Sequence, residues 1–518
     1  MPAADPTLHQ RAITAYHAGN LALAQSLLAE ALAANPDDLP TLKSYGQVLR
    51  DAGHPLQALE IFLRVLALDP KDAPACNAAG VCFQETGNPA AALEHYLRAM
   101  TIQPDLAETY NNLGVVLLHE HDLAGASEHF QQALELDPTY ADAWNNVALL
   151  HRDRHEYLEA IETFRTALTL KPNSSEIEAG LGEVLSLVYD PTAEAHLRRA
   201  LALAPEKAER HWNLALELLK HGRYPEGWRE YDWRWRRGPR HTPPRPFPQP
   251  FWRGEQSLRD ATLLVYAEQG LGDTLQMLRY LPLLAGRAAR IVLEVQRPLL
   301  PLATQFAAAW PNVSVVAHGD PLPAFDLHTG FMTLPLALGT TVETVPPPLR
   351  FTPPAATRPR TANPRIGLCW TGNAAHDRDR ERSLSLETLR PLLDVPGCTW
   401  VSLQVGRGAD QVAAAGVAFE QPALRDFADT AAILDTLDLV ITVDTAVVHL
   451  AASQGVPTWL LLPYVADWRW LEPTTPKPNP WYPRLRLFRQ TAFPTHNDIP
   501  TLWQPVIAAA AQALRALP

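Results

Sequence analysis

Ala133-Leu-Glu-Leu-Asp-Pro138 closes one of a series of runs that decide the architecture of the first 205 residues. Its proline belongs to a ladder, Pro36, Pro70, Pro104, Pro138, Pro172 and Pro205, spaced at 34, 34, 34, 34 and 33 residues. A proline after an apolar, helix-periodic run stops the helix, because its ring removes a donor and blocks the preceding turn. Recurrence at this period marks two-helix units, none of which can bury its apolar face alone. The units must stack, which predicts an α-solenoid.

Aligned on the prolines, Tyr110, Leu113, Gly114, Leu117, Ala126, Phe130 and Ala133 fall in register with Trp144, Val147, Ala148, His151, Ala160, Phe164 and Ala167. The same frame fits Leu42, Tyr45, Gly46, Ala58 and Phe62, and again Cys76, Ala79, Gly80, Ala92 and Tyr96. This pattern resembles the tetratricopeptide repeat. A weaker first repeat covers about 5 to 38, a sixth about 175 to 207, and a seventh, about 208 to 235, opens with Trp212-Asn213-Leu214. The seventh then replaces the small positions with Tyr224, Trp228, Tyr231, Trp233 and Trp235, as expected of a seam with the next domain. Asn112, Asn146 and Asn213 share the sixth position of their repeats and are candidates to hold a peptide backbone; a solvated polar face fits them equally, since Ser44, Ala78 and Gly180 break the series.

The chain has 518 residues, more than one core accommodates, and a formal net charge of -12. That balance argues against a nucleic-acid or anionic-membrane binder, so any basic site is local. Cys76, Cys82, Cys369 and Cys398 form no Cys-x-x-Cys pair, no histidine cluster has zinc spacing, and the cysteines read as small buried hydrophobes. No stretch reaches the roughly 18 apolar residues of a membrane span, and the amino terminus lacks a leader pattern. A cytoplasmic protein is expected.

Residues 236–260 are rich in proline and arginine (Pro239, Pro243, Pro244, Pro246, Pro248, Pro250) and read as a linker after a repeat array over 1–235. Strand-like runs then alternate with helical ones: 261 to 268, 290 to 295, 313 to 317 and 325 to 329, then, after a proline-rich hinge at 346–364, 366 to 370, 400 to 404, 437 to 443 and 458 to 462. That is α/β, with two Rossmann-like lobes at 261–345 and 365–490 and a closing helix within 491–518. Such lobes bind ligands at the carboxyl ends of their strands.

In Leu437-Asp-Leu-Val-Ile-Thr-Val-Asp444-Thr445-Ala446-Val-Val-His449 a buried strand runs straight into a helix. The free amides of Thr445, Ala446 and Val447 face outward from a positive helix end, an anion site to which His449 can add a donor. A helix cap and a satisfied core histidine are the alternative reading. Gly270-Leu-Gly272-Asp273 occupies the equivalent turn after the first strand of the other lobe, so the two turns would face each other.

Here the sequence resembles the lipopolysaccharide heptosyltransferases, glycosyltransferase family 9, over about 261 to 490. The resemblance implies a GT-B fold, Asp273 as base for an acceptor hydroxyl, and Asp444, Thr445, Ala446 and His449, with Gly270 and Gly272, at the diphosphate of a nucleotide-sugar donor. Ala446 stands where that family has glycine. Further phosphate or sugar contacts are expected from Asn373 and the cluster Arg378, Arg380 and Arg382, whose alternation with Asp fits a solvated loop equally, and from Asp467, Trp468 and Arg469, although the aromatic density of 468 to 482 also fits a plug. Asp377-Arg-Asp379 spells an Asp-x-Asp, but its interleaved arginines argue against metal; no metal and no cofactor are expected.

The combined architecture is similar to that of the O-GlcNAc transferases, with repeats presenting a polypeptide. The first lobe, about 85 residues, is short for a heptosyltransferase and is expected to lean on the last repeat. The expectation is a metal-independent inverting glycosyltransferase with a protein acceptor. The alternatives are a scaffold that binds a nucleotide sugar without turnover and an enzyme acting on a glycan or lipid-linked sugar.

Overall fold

Helices pair off as the proline ladder dictates: Leu39–Asp51 with Pro55–Leu68, Ala73–Glu85 with Pro89–Ile102, Ala107–His119 with Leu123–Leu136, and Ala141–Asp153 with Tyr157–Leu170. A computed structural model describes residues 7–238, 245–351, 363–376, 378–472, 478–492 and 499–517. Each ladder proline falls two residues beyond the end of a second helix. Asp38 and Asp72 cap first helices by accepting from the amides of Thr41 and Ala75. Between the two helices of successive units the chain turns through a left-handed residue at a fixed period: Gly19, Gly53, Gly87, His121, His155, then Tyr189. Glycine takes this conformation without cost, and the two histidines and the tyrosine are held in it by their neighbours.

Close helix approach within the units rests on missing side chains. A Cβ on Gly46, Gly80 or Gly114 would come within 2.7, 2.5 and 2.5 Å of the Phe62, Tyr96 and Phe130 rings. These rings are buried, so the helices are as close as the aromatic fill permits.

The chain forms two units, Met1–Val184 and Leu185–Pro518. The boundary precedes residue 235, where the sequence placed the end of the array. The reason is packing: Ala215, Leu219, Tyr224, Trp228 and Tyr231, from helices Ala208–Lys220 and Tyr224–Tyr231, share one core with Leu263, Val265, Leu281 and Ile291. The aromatic residues that break the repeat pattern are what join this hairpin to the α/β part.

The α/β part holds two parallel sheets. The first contains β1 (Thr262–Tyr266), β2 (Arg290–Val295), β3 (Val313–Ala317) and β4 (Leu327–Gly330) in the order β3-β2-β1-β4. The second contains β5 (Arg365–Cys369), β6 (Thr399–Ser402), β7 (Phe419–Glu420), β8 (Leu439–Val443), β9 (Thr458–Leu462) and β10 (Arg486–Arg489) in the order β10-β9-β8-β5-β6-β7. The central strands are buried along their whole length, as parallel strands covered on both faces should be. The short β7 and the edge strand β10 carry no apolar run that marks them in the sequence.

The expected linker is structured where it is described. Phe251 bridges to His328 of β4, Trp252 N donates to His328 O at 2.7 Å, and Phe247 packs edge-on against Tyr266. Pro239, Pro243 and Pro244 lie outside the described residues, as do 352–362 of the expected hinge. Helix Ile499–Arg515 closes the second core through Trp503, Ile507, Ala510 and Leu514. Cys76, Cys82 and Cys369 are buried and Cys398 is partly so, all four as free thiols. Among the described residues no helix is long and apolar enough to cross a membrane.

Candidate functional site

The carboxyl ends of β1, β5, β6, β8 and β9 open onto one cavity of about 1060 Å³. Its lining begins at Ser186, includes Tyr189 and Lys220 from the helical part of the second unit, and takes in both turns singled out from the sequence.

At the Thr445 turn, β8 ends and helix Ala446–Gln454 starts at once. Thr445 is its N-cap, its hydroxyl accepting from Val447 N at 3.3 Å, which leaves the amides of Thr445 and Ala446 without an internal acceptor. His449, one turn on, is 5% exposed and faces the cavity. Its Nδ1 hydrogen-bonds the Tyr482 hydroxyl at 3.0 Å, its ring lies along Trp470 with centroids 5.6 Å apart, and its Nε2 has no hydrogen-bond partner among the described residues. Burial, then the positive charges of Arg469 and Arg279, hold its pKa well below the usual histidine range, so the ring is neutral at pH 7.

The opposing turn is close. A Cβ on Gly272 would lie 2.8 Å from His449 Cδ2 and 3.5 Å from Ala446 Cα, so the intimate approach expected of a glycine at 446 is supplied from the other side. Asp273, in the first turn of helix Leu271–Met277, accepts from Gly270 N at 2.8 Å through Oδ2 and from Arg469 Nη2 through Oδ1. It caps its helix and also borders the cavity.

Arg469 joins the two sides. Besides Asp273 it reaches Gln276 Oε1 at 2.6 Å and Asp467 Oδ1 at 2.8 Å, and it lies 4.3 Å over the Trp468 ring. Burial works against its charge, but the Asp467 and Asp273 carboxylates outweigh burial and push its pKa further up. Leu471, two residues on, adopts φ 57° and ψ 176°, a region that only glycine occupies comfortably. Arg489 Nη2 holds it there by donating to the carbonyls of Trp470 and Leu471, each at 3.0 Å.

Asp444 does not offer its carboxylate to an anion. It is partly buried at the cavity edge, accepts from Trp470 Nε1 at 2.8 Å, and its carbonyl takes Arg382 Nη1 at 2.8 Å. Burial, reinforced by the nearby Asp467 carboxylate, pushes its pKa up to about 6. A carboxyl raised in the folded state contributes stability that is fully present below its unfolded value of 3.8 and is lost as pH rises through about 6. Asp444→Asn keeps an acceptor for Trp470. It is expected to raise the melting temperature of the second unit at pH 7 and to leave it unchanged near pH 4; a variant melting below the parent at pH 7 would show the charge to be a net stabiliser.

The arginine cluster divides. Arg378 borders the cavity and pairs with Glu381 at 2.6 Å, and Arg382 borders it beside Asp444. Arg380 is exposed and does not border the cavity, because the short helix Asp379–Arg382 turns it to the far side. Asn373 borders the cavity, its Oδ1 accepting from Ala375 N at 3.0 Å. Trp468 is buried edge-on against Trp228, 5.2 Å away, and Trp481, 6.0 Å away, so the aromatic density here plugs the seam with the hairpin. Asp377 lies outside the described residues, and Asp379 is committed to Arg382 and Arg407. Among the described residues no group of three or more His, Cys, Asp or Glu side chains is placed to hold a metal.

Arg407 and Gln404 escaped the sequence reading. Both border the cavity just beyond β6, where Gly406 and Gly408, each at positive φ, flank the arginine. A strand followed by Gly-Arg-Gly was the signal available.

In the first unit, Asn112 Nδ2 donates to Asn77 Oδ1 at 3.0 Å and Asn146 Nδ2 to Asn111 Oδ1 at 2.8 Å. Asn77 continues to Glu108, and Asn111 and Asn145 to their neighbours Asn112 and Asn146. The sixth-position asparagines are thus cross-braced by a fifth-position row, which spends one donor of each amide and leaves the other. Asn213 belongs to the second unit and lies outside this ladder.

Residues 73–139 and 111–175 match two family models of the tetratricopeptide repeat. Protein FlbA of Caulobacter vibrioides is 28% identical over 376 residues, which is 66% of this chain and 59% of that protein, so the chain spans about three-fifths of its length. Among solved structures, a tetratricopeptide repeat protein from Parabacteroides merdae is 18% identical, with 44% of this chain and 90% of that one covered and a TM-score of 0.35. The PilF protein of Pseudomonas aeruginosa is 22% identical, with 39% and 93% covered and a TM-score of 0.33. Residues 73–175 therefore carry tetratricopeptide repeats, units whose general use is to engage other proteins.

Proposed function

We propose that the chain is an inverting glycosyltransferase of GT-B type, moving a sugar from a nucleotide-sugar donor to a protein acceptor held by the repeats. One observation carries this reading. A helix start whose Thr445 and Ala446 amides, like Nε2 of buried His449, have no partner among the described residues meets, across one cavity, a turn presenting the carboxylate of Asp273. Sugar transfer needs those two things together: positive groups for the departing diphosphate and a carboxylate for the acceptor proton. Arg382 and Arg469 place cationic charge beside the helix start, so the arrangement has a way to stabilise the leaving group with its own side chains. The half-spent amides of the asparagine ladder suit an extended acceptor backbone, which offers donors and acceptors at regular spacing irrespective of side chain.

A second reading has its own support. Both Asp273 oxygens are already engaged, which favours a scaffold that binds the nucleotide sugar without turnover.

Calorimetric titration with uridine, guanosine and adenosine diphosphates and their sugar conjugates tests the proposal. Selective binding to one nucleotide, weakened about tenfold or more in His449→Ala by loss of a charge-assisted donor, is expected. Absence of binding by all of them would remove the transferase reading.

A further inference from the structure

The cavity wall facing the Thr445 turn is built with more care than an exposed loop requires. Asp379 is 3% exposed, yet both of its oxygens serve arginines: Oδ1 accepts from Arg382 Nε at 3.3 Å and Oδ2 from Arg407 Nη1. Ser383 Oγ donates to the same Oδ1 at 2.8 Å. Arg382 is further fixed by Asp444 O, and it packs against Gly372, where a Cβ would come within 2.8 Å of its Nη2. Arg407 has a side chain 54% exposed, but its main chain is pinned: its carbonyl accepts from Thr371 Oγ1 at 2.8 Å and from Gln404 Nε2 at 2.9 Å.

Two guanidinium groups that share one buried carboxylate carry a net positive charge, and both border the cavity. Among the described residues, Arg382 Nη2 and Arg407 Nε and Nη2 have no acceptor, so each fork keeps donors to spare.

We propose that Asp379 is a positioning residue that holds Arg382 and Arg407 as a paired clamp on the second phosphate of a diphosphate whose first phosphate sits at the Thr445 amides. This deepens the donor-site reading above and rests on it. The chemistry selects two adjacent phosphates over one. A single phosphate satisfies the helix start alone, whereas a diphosphate also meets the planar forks, which match phosphate oxygens two at a time.

The test is calorimetry of the full chain with sodium pyrophosphate and, separately, inorganic phosphate. The parent is expected to prefer pyrophosphate by about tenfold or more, and Arg407→Ala to lose about tenfold in pyrophosphate affinity while phosphate binding changes by less than about threefold. Asp379→Asn should shrink the same preference, and Asp379→Glu should restore part of it, which a merely structural carboxylate would not do. Arg407 is exposed enough to remove without opening a core, so the result does not hinge on the folding of the Asp379 variants. Pyrophosphate binding with Arg407→Ala indistinguishable from the parent would overturn the clamp and leave the anion site standing. No pyrophosphate binding by the parent would overturn both. Binding that follows the clamp while no nucleotide sugar is turned over would uphold the clamp and sink the transferase reading.

Discussion

Replacing Asp273 by asparagine is expected to slow sugar transfer by about 10²- to 10⁴-fold, the usual contribution of a positioned general base. Donor affinity should stay within about threefold of the parent, because the anion site lies on the opposite turn and the asparagine oxygen can still accept from Gly270 N. The carboxylate is occupied by Gly270 and Arg469, but it offers about four lone-pair directions and these partners use two, so an acceptor hydroxyl has a place to dock. Single-turnover transfer and nucleotide titration on the same preparation separate the outcomes. Parallel loss of transfer and donor affinity would make Asp273 a structural cap, and full transfer would move the base elsewhere, Asp467 being the nearest carboxylate on the same guanidinium.

The largest effect on stability is expected at Arg234. Its guanidinium is fully buried beneath the hairpin, with Nη2 at 2.8 Å from Glu268 Oε1 and 2.7 Å from Thr333 Oγ1, and Glu268 also accepts from Met332 N at 3.0 Å. Burial raises the Glu268 pKa in spite of Arg234, so the pair is held against a desolvation cost. Arg234→Ala strands that carboxylate and is expected to cost about 3–5 kcal/mol, whereas replacing Arg234 and Glu268 together by methionine should cost much less. Urea unfolding followed by tryptophan emission reports the second unit, since every tryptophan but Trp144 lies beyond residue 184. A double variant as unstable as the sum of the singles would show that the pair has no coupling.

The proline ladder announced the helix ends, because a proline acts on its own turn wherever the chain goes next. The strands β1, β2, β5, β8 and β9 were legible from short apolar runs that mark burial on two faces, and β3, β4 and β6 from their place in the strand-helix alternation. So was the Thr445 turn, where strand and helix abut without a loop. What stayed hidden depends on partners distant in sequence. Arg407 sits 28 residues from the aspartate that aims it, and nothing in its surroundings reveals Asp379. The fifth-position Asn77 and Asn111 became meaningful only as braces to the next unit. His121, His155 and Tyr189 concealed a left-handed turn that glycine had advertised at 19, 53 and 87.

Every described residue that borders the cavity comes at or after Ser186, and the hairpin that completes its wall shares a core with the sheets. The 34-residue repeats that end before Ser175 supply none of its described lining, so repeats can be gained or lost there without replacing a residue that borders the cavity. The number of repeats and the lining of the cavity can therefore vary independently of each other.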